Sequence, residues 1–147
     1  MKKGRIVILL FTLLYSYALF GQTGQAYDCI VLQKSIAFTE FIDHFYINKS
    51  KETLEIVDTS FYFVNCDEIS KIGERPLVIS RNYPLNVDVN RGSGIENKNK
   101  IIIYNVTKHK YNYKISFWQP YSNATLVLQV RLKKRHTKIK VLSAGVF

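Results

Sequence analysis

The sequence of 147 residues predicts an α+β fold, in which one N-terminal helix packs on a curved antiparallel sheet that ends in a long meander. The first observation is an alternation of apolar and polar residues, with a period of two, throughout residues 100–147. This period is typical of strands that bury one face of a sheet. The second observation is a helical spacing of apolar residues within residues 29–46.

The predicted helix, residues 29–46, begins after Asp28, whose carboxylate suits the N-cap position. Four of its apolar residues follow the spacing i, i+3, i+4 and i+7 and therefore share one face: Phe38, Phe41, Ile42 and Phe45. This face is the expected cover of the sheet.

The strands of the meander are predicted at residues 101–106, 111–119, 124–133 and 138–147. Residues 120–123, which read Pro-Tyr-Ser-Asn, have turn chemistry because proline fixes φ and both asparagine and serine favour turn positions. Shorter strands are expected upstream at residues 54–57, 61–64 and 77–79, with a helical turn at residues 67–71. Residues 82–100 are rich in asparagine and glycine and form the longest predicted loop.

Residues 1–26 have the layout of a secretory signal peptide. Lys2, Lys3 and Arg5 precede an uncharged, mostly apolar run at residues 6–20, and small residues follow it. The run is shorter than the roughly 20 residues that a membrane-spanning helix needs. We therefore expect export, to the periplasm or outside the cell, and a single α+β domain at residues 27–147. The alternative is a membrane anchor formed by an uncleaved N-terminal segment.

The two cysteines, Cys29 and Cys66, are predicted to form a disulfide, because export brings the chain into an oxidising compartment. The alternative is two buried free thiols. Two cysteines and three scattered histidines are too few and too dispersed for a structural zinc site. The sequence predicts no metal and no cofactor.

Positive charge is concentrated in the meander. Residues 98–147 contain eleven basic and no acidic residues, a net charge of +11, whereas residues 27–97 contain seven basic and eleven acidic residues, a net charge of −4. Such an asymmetry bears on partners and solubility rather than on the fold.

The last hairpin is the strongest candidate for a binding surface. If its loop spans residues 134–137, Lys133 opposes Lys138 and Arg131 opposes Lys140 on the outward side, an arrangement that costs stability. Outward residues of the neighbouring strand complete a candidate anion-binding site: Lys114, Trp118, Arg131, Lys133, Lys138 and Lys140. The alternative is a set of solvated cations that only prevents the edge from pairing with other chains.

No catalytic set is recognised. Glu40 and His44 are one helical turn apart and are interpreted as a surface pair, because no nucleophile motif or phosphate-binding loop accompanies them. Glycosylation sequons occur at residues 48–50, 105–107 and 123–125, and they matter only in a eukaryotic secretory pathway.

The predicted helix followed by a curved sheet, over residues 28–147, resembles the layout shared by cystatin-like and nuclear-transport-factor-2-like domains. Cystatin inhibitors carry a Gln-x-Val-x-Gly loop, whereas the Gln129-Val130-Arg131 of this chain lies within a predicted strand. The resemblance therefore implies a fold and no inhibitory activity.

The predicted function is that of a small exported, non-enzymatic module. We expect it to bind an unknown protein, a glycan or an anionic surface through the basic hairpin, and we expect neither nucleic acid as a partner nor a stable membrane span after signal cleavage. The alternative is a small-molecule-binding or catalytic pocket between the helix and the sheet, a feature that such cone-shaped folds often have.

Overall fold

The structure is a computed structural model and describes residues 27–66, 68–81, 97–134 and 136–146. Within these residues the helices are α1 (Cys29–Ile36) and α2 (Thr39–His44), and a 3-10 turn follows at Ile47–Lys49. The strands are β1 (Leu54–Val57), β2 (Lys71–Ile72), β3 (Arg75–Ser80), β4 (Lys100–His109), β5 (Asn112–Gln119), β6 (Ala124–Leu132) and β7 (Thr137–Val146). The predicted α+β class is confirmed, and the strands form one curled sheet.

The strand order in the described sheet is β2-β3-β1-β4-β5-β6-β7. Strands β4 to β7 form the predicted antiparallel meander. The prediction of an antiparallel sheet is wrong for the upstream strands, because β1 pairs in parallel with both β3 and β4. The sheet is therefore mixed, with its parallel part on the side of the short upstream strands.

The predicted single helix over residues 29–46 is divided into α1 and α2. The Ser35 hydroxyl donates a hydrogen bond to the Val31 carbonyl at 2.7 Å, and Phe38 adopts an extended conformation at φ −72° and ψ 136°. Side-chain bonds of this kind compete with the regular helix and often bend it. The predicted cap is present, since the Asp28 carboxylate accepts a hydrogen bond from the Ile30 N–H at 3.0 Å.

The predicted strand at residues 61–64 is wrong. The buried carboxylate of Asp58 accepts hydrogen bonds from the backbone N–H groups of Tyr62, at 3.0 Å, and Phe63, at 2.8 Å. These donors are consequently not available to a neighbouring strand. Only an isolated bridge between Tyr27 and Phe63 remains.

The predicted helical turn at residues 67–71 is shorter than expected within the residues described, because the Ile69 N–H donates a hydrogen bond to the Cys66 carbonyl at 3.0 Å but Lys71 already begins β2. Residue 67 lies outside the described residues. So do the predicted signal peptide, residues 1–26, and most of the predicted long loop, residues 82–96, which stay predictions.

Both helices contribute to one hydrophobic core on the inner face of the sheet. The ring of Phe41 in α2 lies 5.0 Å from the ring of Phe117 in β5, and neither side chain is exposed. Each such buried side chain is worth roughly 1.5–3 kcal/mol. Alternate residues of β4 to β7 point to the opposite side, which we call the outer face.

Cys29 and Cys66 form the predicted disulfide, with their α-carbons 5.5 Å apart, and the chain has no other cysteine. The bond joins the first residue of α1 to the segment before β2. Disulfides persist in compartments outside the reducing cytoplasm. Among the described residues, none of the helices has the length and apolar character required to span a membrane.

Candidate functional site

Two hairpin turns of the meander lie side by side at one end of the sheet. The β4–β5 turn contains Lys110 and Tyr111, and the Leu132 N–H at the end of β6 donates a hydrogen bond to the Tyr111 carbonyl at 3.0 Å. The β6–β7 turn follows directly after Leu132. Eight exposed cationic side chains gather there, and we call them the basic end: Lys108, Lys110, Lys114, Arg131, Lys133, Lys134, Lys138 and Lys140.

Four of these cations occupy two adjacent rows that cross the outer face. The strand register gives one row as Thr107, Lys114, Gln129 and Lys140, and the next as His109, Asn112, Arg131 and Lys138. Neighbouring strands are about 4.8 Å apart, and successive residues on one face are about 7 Å apart. The α-carbons of the four cations therefore lie within about 12 Å of one another.

The opposed pairs differ from those predicted. Lys133 and His136 exchange two backbone hydrogen bonds, of 2.9 and 3.3 Å, so the pairing of the two strands continues to these residues. As a result Arg131 opposes Lys138, and Gln129 opposes Lys140. The shift amounts to two residues, which leaves the side chains from Thr137 to Val141 on their predicted faces, whereas the irregularity between Val127 and Leu128 changes the register beyond them.

No acidic side chain neutralises the basic end within the described part of the chain. The ion pairs between described residues join Arg81 to Asp58 at 3.9 Å and Lys100 to Glu55 at 3.8 Å, and neither involves the basic end. The sequence explains this, since Glu96 is its last acidic residue. A partner that supplies negative charge would meet cations that form no ion pair with any of the described carboxylates.

Trp118 lies on the outer face but apart from the cations. Its indole N–H donates a hydrogen bond to the Asn123 side-chain oxygen at 3.1 Å, near the β5–β6 turn. Four residues along β5 separate it from Lys114, a distance of about 13 Å. The structure thus brings together Lys114, Arg131, Lys133, Lys138 and Lys140, and it does not place Trp118 among them.

Sequence reasoning missed part of the basic end: Lys108, Lys110 and Lys134, together with Tyr111, which is 72% exposed. The order of the turns in the predicted meander could have revealed these residues. Alternate turns of a meander fall at the same end of a sheet, so cations in the first and third turns are neighbours.

Glu40, His44 and the tyrosines Tyr111 and Tyr113 lie at separate places in the structure. Tyr113 is buried with its ring edge against Tyr27, at 5.8 Å. The His44 imidazole packs on the neighbouring Phe45 ring at 4.9 Å, and its Nε2 has no hydrogen-bond partner. Tyr111 and Glu40 are exposed, whereas Tyr113 belongs to the core.

A cleft of about 570 Å³ lies instead at the end of the sheet opposite the basic end. We call it the Arg75 cleft, after the buried arginine at its base. It lies where β4 begins and β5 ends, and the segment around the 3-10 turn provides its other wall. The lining includes Tyr46, Lys51, Glu52, Arg75, Asn99 and Gln119.

Arg75 is 6% exposed and ties the walls of this cleft together. Its guanidinium donates hydrogen bonds to the carbonyls of Glu52, at 2.7 Å, and Ile47, at 3.2 Å, and to the side-chain oxygen of Asn99, at 2.7 Å. The Asn99 amide in turn donates to the Glu52 carboxylate. Burial lowers the pKa of Arg75 and the charge of Glu52 opposes that change, so the guanidinium stays cationic.

A second polar network fixes Gln119. Its amide nitrogen donates to the Lys98 carbonyl at 3.3 Å, and its oxygen accepts a hydrogen bond from the Ser122 hydroxyl at 2.5 Å. The orientation of the amide is therefore set by the β5–β6 turn.

The described residues contain no group of three or more histidine, cysteine or acidic side chains that could hold a metal ion. No protein-family model, no curated protein and no solved structure matches this chain. Proposals about its function therefore depend on its own residues.

Proposed function

We propose that this protein is an exported, non-enzymatic binding module whose basic end holds an extended acidic polymer, such as an acidic polysaccharide. One observation carries the proposal: two adjoining hairpins present eight exposed cations with no acidic residue among them. The signal peptide predicted for residues 1–26 would deliver the protein to a compartment in which such polymers occur. The disulfide is compatible with that route.

The cost of gathering like charges supports a polyanionic partner. Arg131 and Lys138 are directly opposed, which destabilises a strand pair by roughly 0.2–1 kcal/mol. A polymer that carries many negative charges would offset this repulsion and release bound counterions. A small anion would neutralise only part of it.

The shape of the basic end favours a polymer chain over a lipid surface. The cations spread over four strands, a width of about 14 Å, which suits an extended chain. Tyr111 is the one large exposed hydrophobic side chain in the two described turns, whereas membrane-surface segments usually carry several apolar residues for insertion. The proposal needs only the α+β sheet, and the cystatin-like or nuclear-transport-factor-2-like layout stays a prediction.

Retention on immobilised heparin, a sulfated polysaccharide, tests the proposal. The variant that changes Arg131 and Lys138 to glutamine should elute at lower salt than the wild type. Its matched control changes Lys34 and Lys71 to glutamine, which are exposed and lie outside both the basic end and the cleft described above. Both variants lose two positive charges, so only a localised site predicts that the control is retained like the wild type.

The salt dependence of heparin binding provides a second test of the proposal. Binding should weaken steeply as ionic strength rises, because exposed charges are screened over about 10 Å at 0.1 M salt. Equal elution of the basic-end variant and its control would contradict a localised site. Binding to anionic vesicles with weak retention on heparin would assign the basic end to a lipid surface instead of a polysaccharide.

A further inference from the structure

We infer that the Arg75 cleft is a second binding site, which takes a saccharide unit bearing a carboxylate. This inference does not rest on the function proposed for the basic end. Gln119, on the cleft, is five residues from Lys114 along β5, which corresponds to about 17 Å. The two surfaces can therefore be altered separately.

The cleft has the size of a ligand site. Its volume of about 570 Å³ falls within the range of roughly 300–1,000 Å³ that is typical of small-molecule sites. Its walls come from separate parts of the chain, namely the 3-10 turn, β3, the start of β4 and the β5–β6 turn. Arg75 joins three of these four by hydrogen bonds, so the shape does not depend on one mobile loop.

The base of the cleft offers oriented hydrogen-bond donors. The amides of Asn99 and Gln119 are both held by protein partners. Each NH₂ group uses one N–H in these bonds and keeps a second N–H for a ligand. Pre-oriented amides of this kind suit hydroxyl and carboxylate oxygens and lose little entropy on binding.

The charge of the rim favours an anionic group. The exposed lysines Lys49, Lys51 and Lys98 line the cleft, whereas Glu52 is the single carboxylate among the described residues that line it. Glu52 already accepts a hydrogen bond from Asn99. A ligand carboxylate would therefore meet cations with little competition from the protein.

Two tyrosines in the lining favour a ligand that contains a sugar ring over a small inorganic anion. Tyr121 is 43% exposed and Tyr46 is 61% exposed, and both line the cleft, although the Lys49 ammonium lies over the Tyr46 ring at 4.1 Å. Aromatic rings offer an apolar face together with a polar edge, and this combination suits the C–H face of a sugar ring. Tyr46 also has a positive φ of 51°, a conformation that is rare for an aromatic residue and is often found at functional sites.

Calorimetric titration of the folded protein with three probes tests the inference. Digalacturonate should bind, whereas neutral galactobiose and inorganic phosphate should each bind at least about tenfold more weakly. The neutral sugar lacks the carboxylate that meets the lysines, and phosphate cannot use the tyrosines. Phosphate that binds as tightly as digalacturonate would overturn the assignment to a saccharide.

Two variants locate the site. The double change Lys51→Gln and Lys98→Gln should weaken digalacturonate binding by about tenfold and leave galactobiose unaffected. Tyr121→Ala should weaken both sugars by a similar factor. Both variants change exposed side chains, and an unchanged urea midpoint verifies that each is folded.

The matched control changes Lys138 and Lys140 to glutamine, which removes the same charge from the basic end. We expect this control to bind digalacturonate like the wild type and to bind heparin more weakly. Absence of digalacturonate binding at about 10 mM, or equal losses in the control and in the cleft variant, would overturn the inference.

Discussion

At the scale of single residues, Asp58 shows how one side chain redirects the backbone. Residues 61–64 read as a strand because Phe, Tyr, Phe and Val favour one. The fully buried Asp58 carboxylate instead accepts two of the backbone N–H groups of this segment. The sequence could not reveal this outcome, since an aspartate after a strand is equally consistent with a solvated turn.

We expect Asp58→Ala to lower the free energy of unfolding by about 3 kcal/mol, because two buried N–H donors lose a charged acceptor. Arg81, whose Nη1 lies 3.9 Å from the carboxylate, would also lose its counterion. Asp58→Asn should give an intermediate loss, since an amide supplies one accepting oxygen. Urea denaturation measures both changes.

The control for this prediction is Asp43→Ala, which removes an exposed carboxylate from α2. This substitution should change the free energy of unfolding by no more than about 0.5 kcal/mol. Equal losses in the Asp58 and Asp43 variants would show that the Asp58 hydrogen bonds contribute nothing to stability.

At the scale of secondary structure, the alternating pattern predicted the meander well. Each of its four strands begins and ends within three residues of its predicted bounds. The pattern was less informative for the helix, because the spacing of Phe38, Phe41, Ile42 and Phe45 describes only the segment around α2. The break between α1 and α2 coincides with the Ser35 side-chain hydrogen bond and the extended Phe38, neither of which periodicity reports.

The register between β6 and β7 is the second feature at this scale that the sequence alone could not predict. A slip of two residues keeps every side chain of β7 on its face, so alternation alone cannot choose between Lys138 and Lys140 as the partner of Arg131. The choice depends on how the turn closes, and the paired hydrogen bonds of Lys133 and His136 decide it. The basic face was thus predictable, but its opposed pair was not.

A double-mutant cycle on Arg131 and Lys138 tests this register. Each single change to glutamine should raise the free energy of unfolding by roughly 0.2–1 kcal/mol at low salt, because opposed like charges repel. The combined change should give less than the sum, since either substitution removes the same repulsion. Urea denaturation at low and high salt provides the measurements.

The comparison cycle pairs Arg131 with Lys140, which lie diagonally in the observed register. Its coupling should be smaller, and both couplings should vanish towards 1 M salt, where the screening length falls to about 3 Å. A larger coupling for Arg131 and Lys140 would favour the register predicted from the sequence over the observed one.

At the scale of the whole molecule, the sheet separates two surfaces. The meander places its first and third turns at the basic end and its second turn beside the Arg75 cleft. The charge asymmetry pointed to the first surface, whereas nothing in the sequence pointed to the second. The cleft combines Glu52, Arg75, Asn99 and Gln119, and they meet because β1 inserts between β3 and β4. That parallel pairing joins short strands distant in sequence, and a local pattern does not encode it.

The disulfide acts at the same scale, because it closes a loop between residues 37 positions apart. In the chain-entropy model a loop of this length stabilises the folded state by up to about 4 kcal/mol, through restriction of the unfolded chain. Reduction of the wild-type protein should therefore lower its melting temperature. Alkylation of the native protein without reductant should label neither cysteine, whereas quantitative labelling would show free thiols.

Reduction also separates stability from binding. The disulfide joins α1 to the segment before β2, and neither cysteine belongs to the basic end or lines the Arg75 cleft. Below its lowered melting temperature, the reduced protein should consequently keep its heparin retention and its affinity for digalacturonate. Circular dichroism at the assay temperature verifies that it is folded. Loss of heparin binding in the folded, reduced protein would mean that the disulfide positions the basic end. The disulfide would then act on the folded structure as well as on the unfolded chain.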